Sequence, residues 1–227
     1  MFKPKTERIE KLSTLYPEAI KTLEGVFNGP SNIYIDWANV IHWQGKLGWH
    51  FDLKRMKQFF DSFDDVHSVK IYTGTLFGNK QSEESTAVLK GLGYDVVTKP
   101  VKIIRISIDT SSIPENSPTL LQQFIKKCLL DKLNISTVTL LNRRLTELNT
   151  NGQFYIEDHK CNFDVELGRD MLRDFDNTQI KNYILWSLDS DFVDPVKQIR
   201  GDGKNAVIFA TSGQVSSELA KTGNYIF

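Results

Sequence analysis

Residues 183–194 read YILWSLDSDFVD, a short apolar run that ends in closely spaced carboxylates. The first five of these residues have strong β character, and Asp189 and Asp191 follow almost at once. An apolar core does not tolerate unpaired carboxylates. We therefore expect a buried strand whose acidic side chains lie at its carboxyl end, where they face a cation or a substrate.

A second stretch, residues 33–39, has the same layout and reads IYIDWAN. Here an apolar run ends in Asp36, and Asn39 follows three residues later. Open parallel sheets place their sites beyond the carboxyl ends of the strands, where the strand order reverses. If these two strands are central neighbours, Asp36 and Asp189 lie side by side.

The apolar patterns along residues 5–98 alternate between helix and strand, which is typical of a parallel sheet with crossover helices. The fold class expected from the sequence is α/β, with about five strands and helices on both faces. The expected strands are 32–36, 66–73, 94–98, 183–187 and 206–210. The expected helices are 5–27, 52–63, 81–92, 163–175, 192–200 and 215–221.

Residues 101–160 interrupt this alternation and are predicted to form an α+β insertion between the third and fourth core strands. The expected domains are thus an N-terminal amphipathic helix at 1–30, packed on the core, and a single domain at 31–227 that contains the insertion. Ser117 and Pro118 predict a helix start, and 136–149 fits strand or helix. Because residues 99–160 carry nine Lys/Arg against six Asp/Glu, the insertion could line a groove for a polyanion. A solvated helix face is the alternative for Lys126 and Lys127.

Residues 37–50 are expected to form a loop that carries Trp37, Trp43 and Trp49. Aromatic side chains beside a site can stack on bases or sugars. They can equally form a hydrophobic plug over the core. The sequence leaves both interpretations open.

The composition narrows the class of protein. The 227 residues carry 28 basic and 28 acidic side chains, so any basic surface must be local. The two cysteines, Cys128 and Cys161, are too few for a disulfide scaffold or a zinc cluster. No signal peptide or membrane span is recognisable. We expect a cytoplasmic protein that does not interact with membranes, and a homodimer is left open.

Several converging carboxylates would repel one another unless a cation neutralised them. Asp164, at the start of the helix before the fourth strand, can join Asp36 and Asp189 if that helix start points to the same edge. It can instead act only as a helix cap. Oxygen ligands without His or Cys suit Mg²⁺ or Mn²⁺ rather than Zn²⁺.

Three motifs together resemble the NYN domain proteins, of the LabA-like branch, within the PIN-like nuclease superfamily. They are IYIDWANV at 33–40, KCNFDVELGRDM at 160–171 and WSLDSDFVDPVKQIRGDGKNAVIF at 186–209. The resemblance implies a Rossmann-like sheet of order 3-2-1-4-5. It also implies a Mg²⁺- or Mn²⁺-dependent endoribonuclease whose partner is RNA. The alternative is an NYN-fold RNA-binding or regulatory module with little or no activity.

The resemblance also assigns residues to roles. Asp36, Asp164 and Asp189 are the expected metal ligands, and Asp191 and Asn39 complete the expected catalytic set. The expected substrate-binding residues are Ser187, Ser190, Lys160, Thr211 and Ser212. Leu188 departs from the family pattern, which usually has Gly there. Whether Asp170, Asp194 or Asn224 joins the metal site is left open.

Overall fold

The structure, a computed structural model, describes residues 1–177, 179–211 and 216–226. The chain forms two compact units, the first made of Met1–Pro100 and Cys161–Phe227, the second of Val101–Lys160. The helices are α1 (Glu7–Leu15), α2 (Pro17–Val26), α3 (Trp37–Leu47), α4 (Leu53–Phe60), α5 (Lys80–Gly91), α6 (Lys127–Leu130), α7 (Ile135–Thr150), α8 (Asp164–Asn177), α9 (Val193–Gly201) and α10 (Ser217–Ala220). The strands are β1 (Ser31–Asp36), β2 (Val66–Thr75), β3 (Asp95–Pro100), β4 (Lys102–Ser107), β5 (Tyr155–Lys160), β6 (Asn182–Trp186), β7 (Asn205–Phe209) and β8 (Tyr225–Ile226).

The first unit is built on a parallel sheet of order β3-β2-β1-β6-β7-β8. Its first five strands confirm the predicted order 3-2-1-4-5, with β6 and β7 as the fourth and fifth core strands. The strand order reverses between β1 and β6, where a parallel sheet places its site. The two-residue strand β8 was not predicted, because so short a segment has no detectable periodicity.

The strands β1, β6 and β7 are buried on both faces because they are nearly continuous apolar runs. On one face Ile33 and Ile35 pack among side chains that include Phe60 of α4. On the other face Tyr34 packs in a cluster that includes Leu167 of α8. Successive side chains of a strand point to opposite faces, so β1 contributes to both clusters.

The N-terminal segment forms two helices, α1 and α2, so the prediction of one helix over 5–27 is wrong. The break lies at Tyr16, whose backbone N–H still bonds to the Leu12 carbonyl at 3.0 Å. Pro17 has no N–H to donate. It occupies the first turn of α2, which is where proline is favoured in a helix. The proline therefore separates two amphipathic helices that share a sequence pattern.

The expected loop after β1 is the helix α3, which is a second correction. The Asp36 carboxylate caps it by accepting a hydrogen bond from the Asn39 N–H at 3.3 Å. Gly48 closes it in the left-handed conformation, with φ of 66°. The density of tryptophan and glycine obscured the helical pattern.

The second unit contains an antiparallel pair, β4 and β5, in which Lys102 lies opposite Lys160. The ambiguous segment 136–149 belongs to α7, which the Asn134 side chain caps. The predicted helix from Ser117 is wrong: a single 3₁₀ turn, Leu121–Gln123, forms there instead. The Asn142 amide bonds to the Ser117 carbonyl at 2.7 Å and so competes for the acceptor that a helix would use.

Within the described ranges, the helices all lack the combination of length and apolar character that a membrane-spanning segment requires.

Candidate metal centre

The carboxyl ends of β1 and β6 are joined by one hydroxyl group. Ile35 pairs with Trp186 in the sheet, so the next residues, Asp36 and Ser187, lie side by side. The fully buried Ser187 hydroxyl donates to Asp36 Oδ2 at 3.2 Å and accepts from the Asp189 N–H at 3.3 Å. Ser187 thus positions two of the predicted acids. It was instead expected to present its hydroxyl group to a substrate.

Burial is the main influence on Asp36 and raises the pKa of its carboxyl group. The hydrogen bonds from the Asn39 N–H and the Ser187 hydroxyl act in the opposite direction because they stabilise the charged form. The charge of Asp189 raises the pKa again. Asp36 is therefore a carboxylate that a nearby cation would stabilise.

Asp164 occupies the first turn of α8, at the same edge of the sheet. Its backbone N–H donates to Asn162 Oδ1 at 2.8 Å, which fixes the start of the helix. Burial, a hydrogen bond shared with Asp191 and the charge of Asp189 together raise the pKa of Asp164 to about 6. Asp164 is thus more than a helix cap, because it shares a site with two other acids.

The acids converge on one place. Asp164, Asp189 and Asp191 each offer an oxygen atom, and these atoms lie within 4.8 Å of one another. Asp36, Asp164 and Asp189 also line a common hollow of about 270 Å³, together with Asn39. The structure therefore brings together all five residues of the expected catalytic set.

The donor set fits a hard cation. Ligands of an octahedral ion with bonds of about 2.1 Å lie roughly 3.0 Å apart when adjacent and roughly 4.2 Å apart when opposite, so the three oxygen atoms, which lie within 4.8 Å of one another, would draw together around an ion. Cys161 also lines the hollow, but burial raises the pKa of its thiol and favours the neutral form. A carboxylate site without a thiolate suits Mg²⁺ or Mn²⁺.

The chain is similar to known proteins. The family model described as "NYN domain" matches residues 117–227. The chain is 24% identical over 196 residues to the Low amplitude and bright protein LabA of Synechococcus elongatus, covering 86% of this chain and 81% of LabA. The two matches are consistent with a LabA-like NYN-domain protein.

A solved structure shows the same fold. The crystal structure of a protein of unknown function from Vibrio parahaemolyticus superposes with a TM-score of 0.53. The match covers 87% of this chain and 91% of the other, at 17% sequence identity. At that identity the likeness concerns the fold alone.

A charged pair supports the acidic site from the side of β3. The Lys99 ammonium bonds to both carboxylate oxygens of Glu166, at 2.8 and 2.9 Å, and lies 4.8 Å from the centre of the Phe163 ring. The sequence suggested Lys99 as part of a polyanion groove. Its contacts instead hold the first turn of α8, which carries Asp164.

Two of the expected substrate-binding residues, Thr211 and Ser190, line hollows other than the one that Asp36 and Asp164 share. Thr211 is buried, and its hydroxyl oxygen accepts from Trp186 Nε1 at 3.0 Å. It lines an apolar cavity of about 450 Å³ that contains no carboxylate among its described lining residues. Ser190 lines a different hollow, beside Asp191 and Glu218. These positions do not indicate that Thr211 or Ser190 contacts a substrate directly.

The other two expected substrate-binding residues are Lys160 and Ser212. Lys160 ends β5 in the second unit, where its ammonium lies 3.6 Å from the Asp158 carboxylate. Ser212 lies outside the described residues. The role of both residues in substrate binding stays a prediction.

The sequence left open whether three further residues join the metal site, and the structure gives each of them different surroundings. Asp170 accepts from Tyr72 Oη at 3.0 Å and pairs with Arg169, so it is bound to the sheet below the site. Asp194 is exposed in the hollow that Ser190 lines. Asn224 is exposed with a positive φ of 52°, which asparagine tolerates in a turn.

The three tryptophans of residues 37–50 divide between the two interpretations. Trp37 packs on Phe51 with ring centres 6.1 Å apart, and Phe51 packs on Trp186 at 5.7 Å, so Trp37 is part of a hydrophobic plug. Trp49 is 59% exposed. Trp43 lines a hollow beside the acids, together with Leu188.

Sequence reasoning missed two residues that shape the site, Asn162 and Glu166. Asn162 stands two residues before Asp164, the spacing at which an asparagine side chain caps a turn. That signal was available. The pairing of Glu166 with Lys99 spans 67 residues of sequence and left no local signal.

Proposed function

We propose that this NYN domain is a metal-dependent endoribonuclease that hydrolyses phosphodiester bonds in RNA. The observation that carries the proposal is the convergence of Asp164, Asp189 and Asp191 within 4.8 Å at the strand-order reversal. Asp36 lines the same hollow. An acidic site of this kind repels a polyanion unless a cation is bound, so the chemistry requires the metal.

Asp36, Asp164 and Asp189 would hold the cation, and Asp191 lies close enough to share it. When bound, Mg²⁺ or Mn²⁺ supplies an activated water and stabilises charge that develops on the phosphate. Ser187 keeps Asp36 and Asp189 in a fixed relation through its two hydrogen bonds. Without a cation, the raised pKa of Asp164 means that a proton competes with the metal for this carboxyl group near pH 6.

The choice of RNA rests on the NYN family resemblance, since the acids alone suit any phosphodiester. The open hollow and the all-oxygen donor set support a phosphate substrate that shares a hard cation with the protein. A binding module without turnover is the alternative, and it predicts RNA binding without cleavage.

The test compares RNA cleavage by the wild-type protein, Asp36→Asn and Asp189→Asn in Mg²⁺, Mn²⁺ or EDTA. We expect cleavage by the wild type in either metal and none in EDTA. The cleavage rate of each variant should be at least about 100-fold lower, which is typical when a group that stabilises developing charge is removed. Asp202→Asn is the matched control, because this exposed carboxylate contacts Gln198 far along α9.

Equal cleavage by all four proteins would indicate a contaminating nuclease or a wrong site. Calorimetric titration of Mn²⁺ into the same samples separates these cases, because only a wrong site leaves metal binding unchanged in Asp189→Asn. Binding of RNA by the wild type with no cleavage in either metal would favour the binding module.

A further inference from the structure

A second hollow adjoins the acidic one. It measures about 310 Å³, and its lining residues are Ala38, Asn39, His42, Trp43 and Leu188. Ala38 and Asn39 also line the acidic hollow. The two hollows therefore share a wall and form neighbouring parts of one groove over the start of α3.

The helical period places the aromatic residues beside the acids. Asn39, His42 and Trp43 are spaced three and four residues apart, so they lie on one face of α3. The Asp36 cap holds Asn39 at the acidic end, through its N–H at 3.3 Å. Trp43 consequently lies about one helical turn, roughly 5 Å, further along the same face.

The second hollow has the chemistry of a base site rather than a phosphate site. Its described lining residues include no Lys or Arg. The rings of His42 and Trp43 meet nearly edge to face, with centres 6.3 Å apart and planes at 73°. Leu188, the residue that departs from the family pattern, adds an apolar wall directly after Ser187. An aromatic surface of this kind binds the π-face of a base.

We propose that this second hollow holds an unpaired base of the RNA, next to the phosphate that lies over the acids. The inference rests on the proposed function for the identity of the polymer. A base can stack on Trp43 only when it is splayed out of a duplex. The geometry therefore assigns to Trp43 the selection of an unpaired base.

Binding is measured on the wild-type protein as the parent in Mn²⁺, with cleavage-resistant phosphorothioate linkages in the RNA so that turnover does not remove the ligand. The probe is a short fluorescent single-stranded RNA, read by anisotropy, beside its duplex form. Trp43→Ala is expected to weaken single-strand binding about 5- to 150-fold, the range for loss of one stacked base. Trp43→Phe keeps a ring and should recover most of this loss.

Trp49→Ala is the matched control, because this tryptophan is 59% exposed and lines the apolar cavity instead. Its single-strand affinity should equal that of the parent. Duplex binding should be equally weak in the parent and Trp43→Ala, since a paired base cannot reach the ring.

Abasic RNA identifies the contact itself. A single abasic nucleotide is placed at each position of the strand in turn. At one of these positions, the missing base should weaken binding to the parent by the same factor as the Trp43→Ala substitution weakens binding of intact RNA. At that position the abasic change should have no further effect on Trp43→Ala, because the two partners of one contact do not add.

Three results would overturn the inference: unchanged single-strand affinity in Trp43→Ala, an abasic loss that persists in that variant, or no measurable RNA binding by the parent. Failure of the proposed nuclease function is a different result. It appears as wild-type protein that binds single-stranded RNA through Trp43 and leaves it intact in Mg²⁺ and Mn²⁺.

Discussion

Ser187 couples two acids through a single hydroxyl group, and its removal is predicted to weaken the metal site. Ser187→Ala deletes the donor to Asp36 and the acceptor for the Asp189 N–H. Loss of such a supporting group typically lowers metal affinity about 10- to 100-fold. Calorimetric titration of Mn²⁺ measures the effect.

Ser13→Ala is the control, since that exposed hydroxyl contacts only the helix carbonyl of Glu10 among the described bonds. Equal Mn²⁺ affinity in Ser187→Ala and Ser13→Ala would show that Asp36 and Asp189 are held by other contacts.

Asp164 predicts how stability depends on pH in EDTA. Its pKa of about 6 lies above the ordinary value, so the folded state binds the proton more tightly than the unfolded state. The contribution of Asp164 to the free energy of unfolding should therefore decrease as pH rises from about 4 to about 6. Asp164→Asn removes this contribution, so the free energy of unfolding of the wild type relative to the variant should fall over this range, measured by urea unfolding at several pH values.

Asp202→Asn, at an exposed carboxylate, should keep the wild-type pH profile. A profile of Asp164→Asn that matches the wild type would contradict the assigned pKa.

At the residue scale, the acids were predictable because they end apolar runs, and a buried strand has no other place for them. The task of Ser187 was not predictable. Whether its hydroxyl faces a substrate or Asp36 depends on the register of β1 against β6, which a single sequence does not specify.

Helix α8 is fastened to the sheet by a cluster of polar side chains. The Asp174 carboxylate accepts from Tyr34 Oη at 2.6 Å and Asn32 Nδ2 at 3.0 Å, and pairs with the Lys70 ammonium at 2.6 Å. Lys70 and Asp174 are each only 18% exposed. The cluster fixes the rotation of α8 and so the direction of Asp164.

Lys70→Met is predicted to lower the free energy of unfolding by about 3 kcal/mol, because it leaves a mostly buried carboxylate without its ammonium partner. Arg55→Ala breaks a solvent-exposed pair with Asp52 and should cost less than about 1 kcal/mol. Urea unfolding measures both variants. Equal losses would mean that the Asp174 cluster is as weak as a surface pair.

At the element scale, strands and long helices were predictable from periodicity, whereas breaks were not. Pro17 ends one amphipathic pattern and starts another in the same phase, so α1 and α2 looked continuous. Residues 37–50 looked like a loop because tryptophan and glycine dominate, although the cap by Asp36 starts a regular helix. The missing N–H of Pro17 separates α1 from α2, and the side-chain cap of Asp36 starts α3.

At the scale of the whole molecule, each unit contains its own apolar cluster. The second unit has one around Leu121, Leu130 and Val138. Within the first unit, Cys161 Sγ lies 3.9 Å from the Lys99 carbonyl, so the points where the insertion leaves and rejoins are neighbours. Insertions with adjacent ends can often be removed without unfolding their host.

Replacing residues 101–160 with a short Gly/Ser linker should therefore leave a first unit that unfolds cooperatively and binds Mn²⁺. Circular dichroism with thermal unfolding, followed by calorimetry, tests this prediction. A protein that loses its cooperative transition would show that the host depends on the insertion for its stability.

The two-residue strand β8 has a consequence for handling the protein. It covers β7, whose middle residues Ala206, Val207 and Ile208 are buried. The Arg200 guanidinium holds the turn before it by donating to the Gly223 carbonyl at 2.6 Å. Truncation before Tyr225 would uncover an apolar strand edge, a template for pairing between molecules. Chains truncated before Tyr225 should therefore aggregate more readily than chains that keep β8.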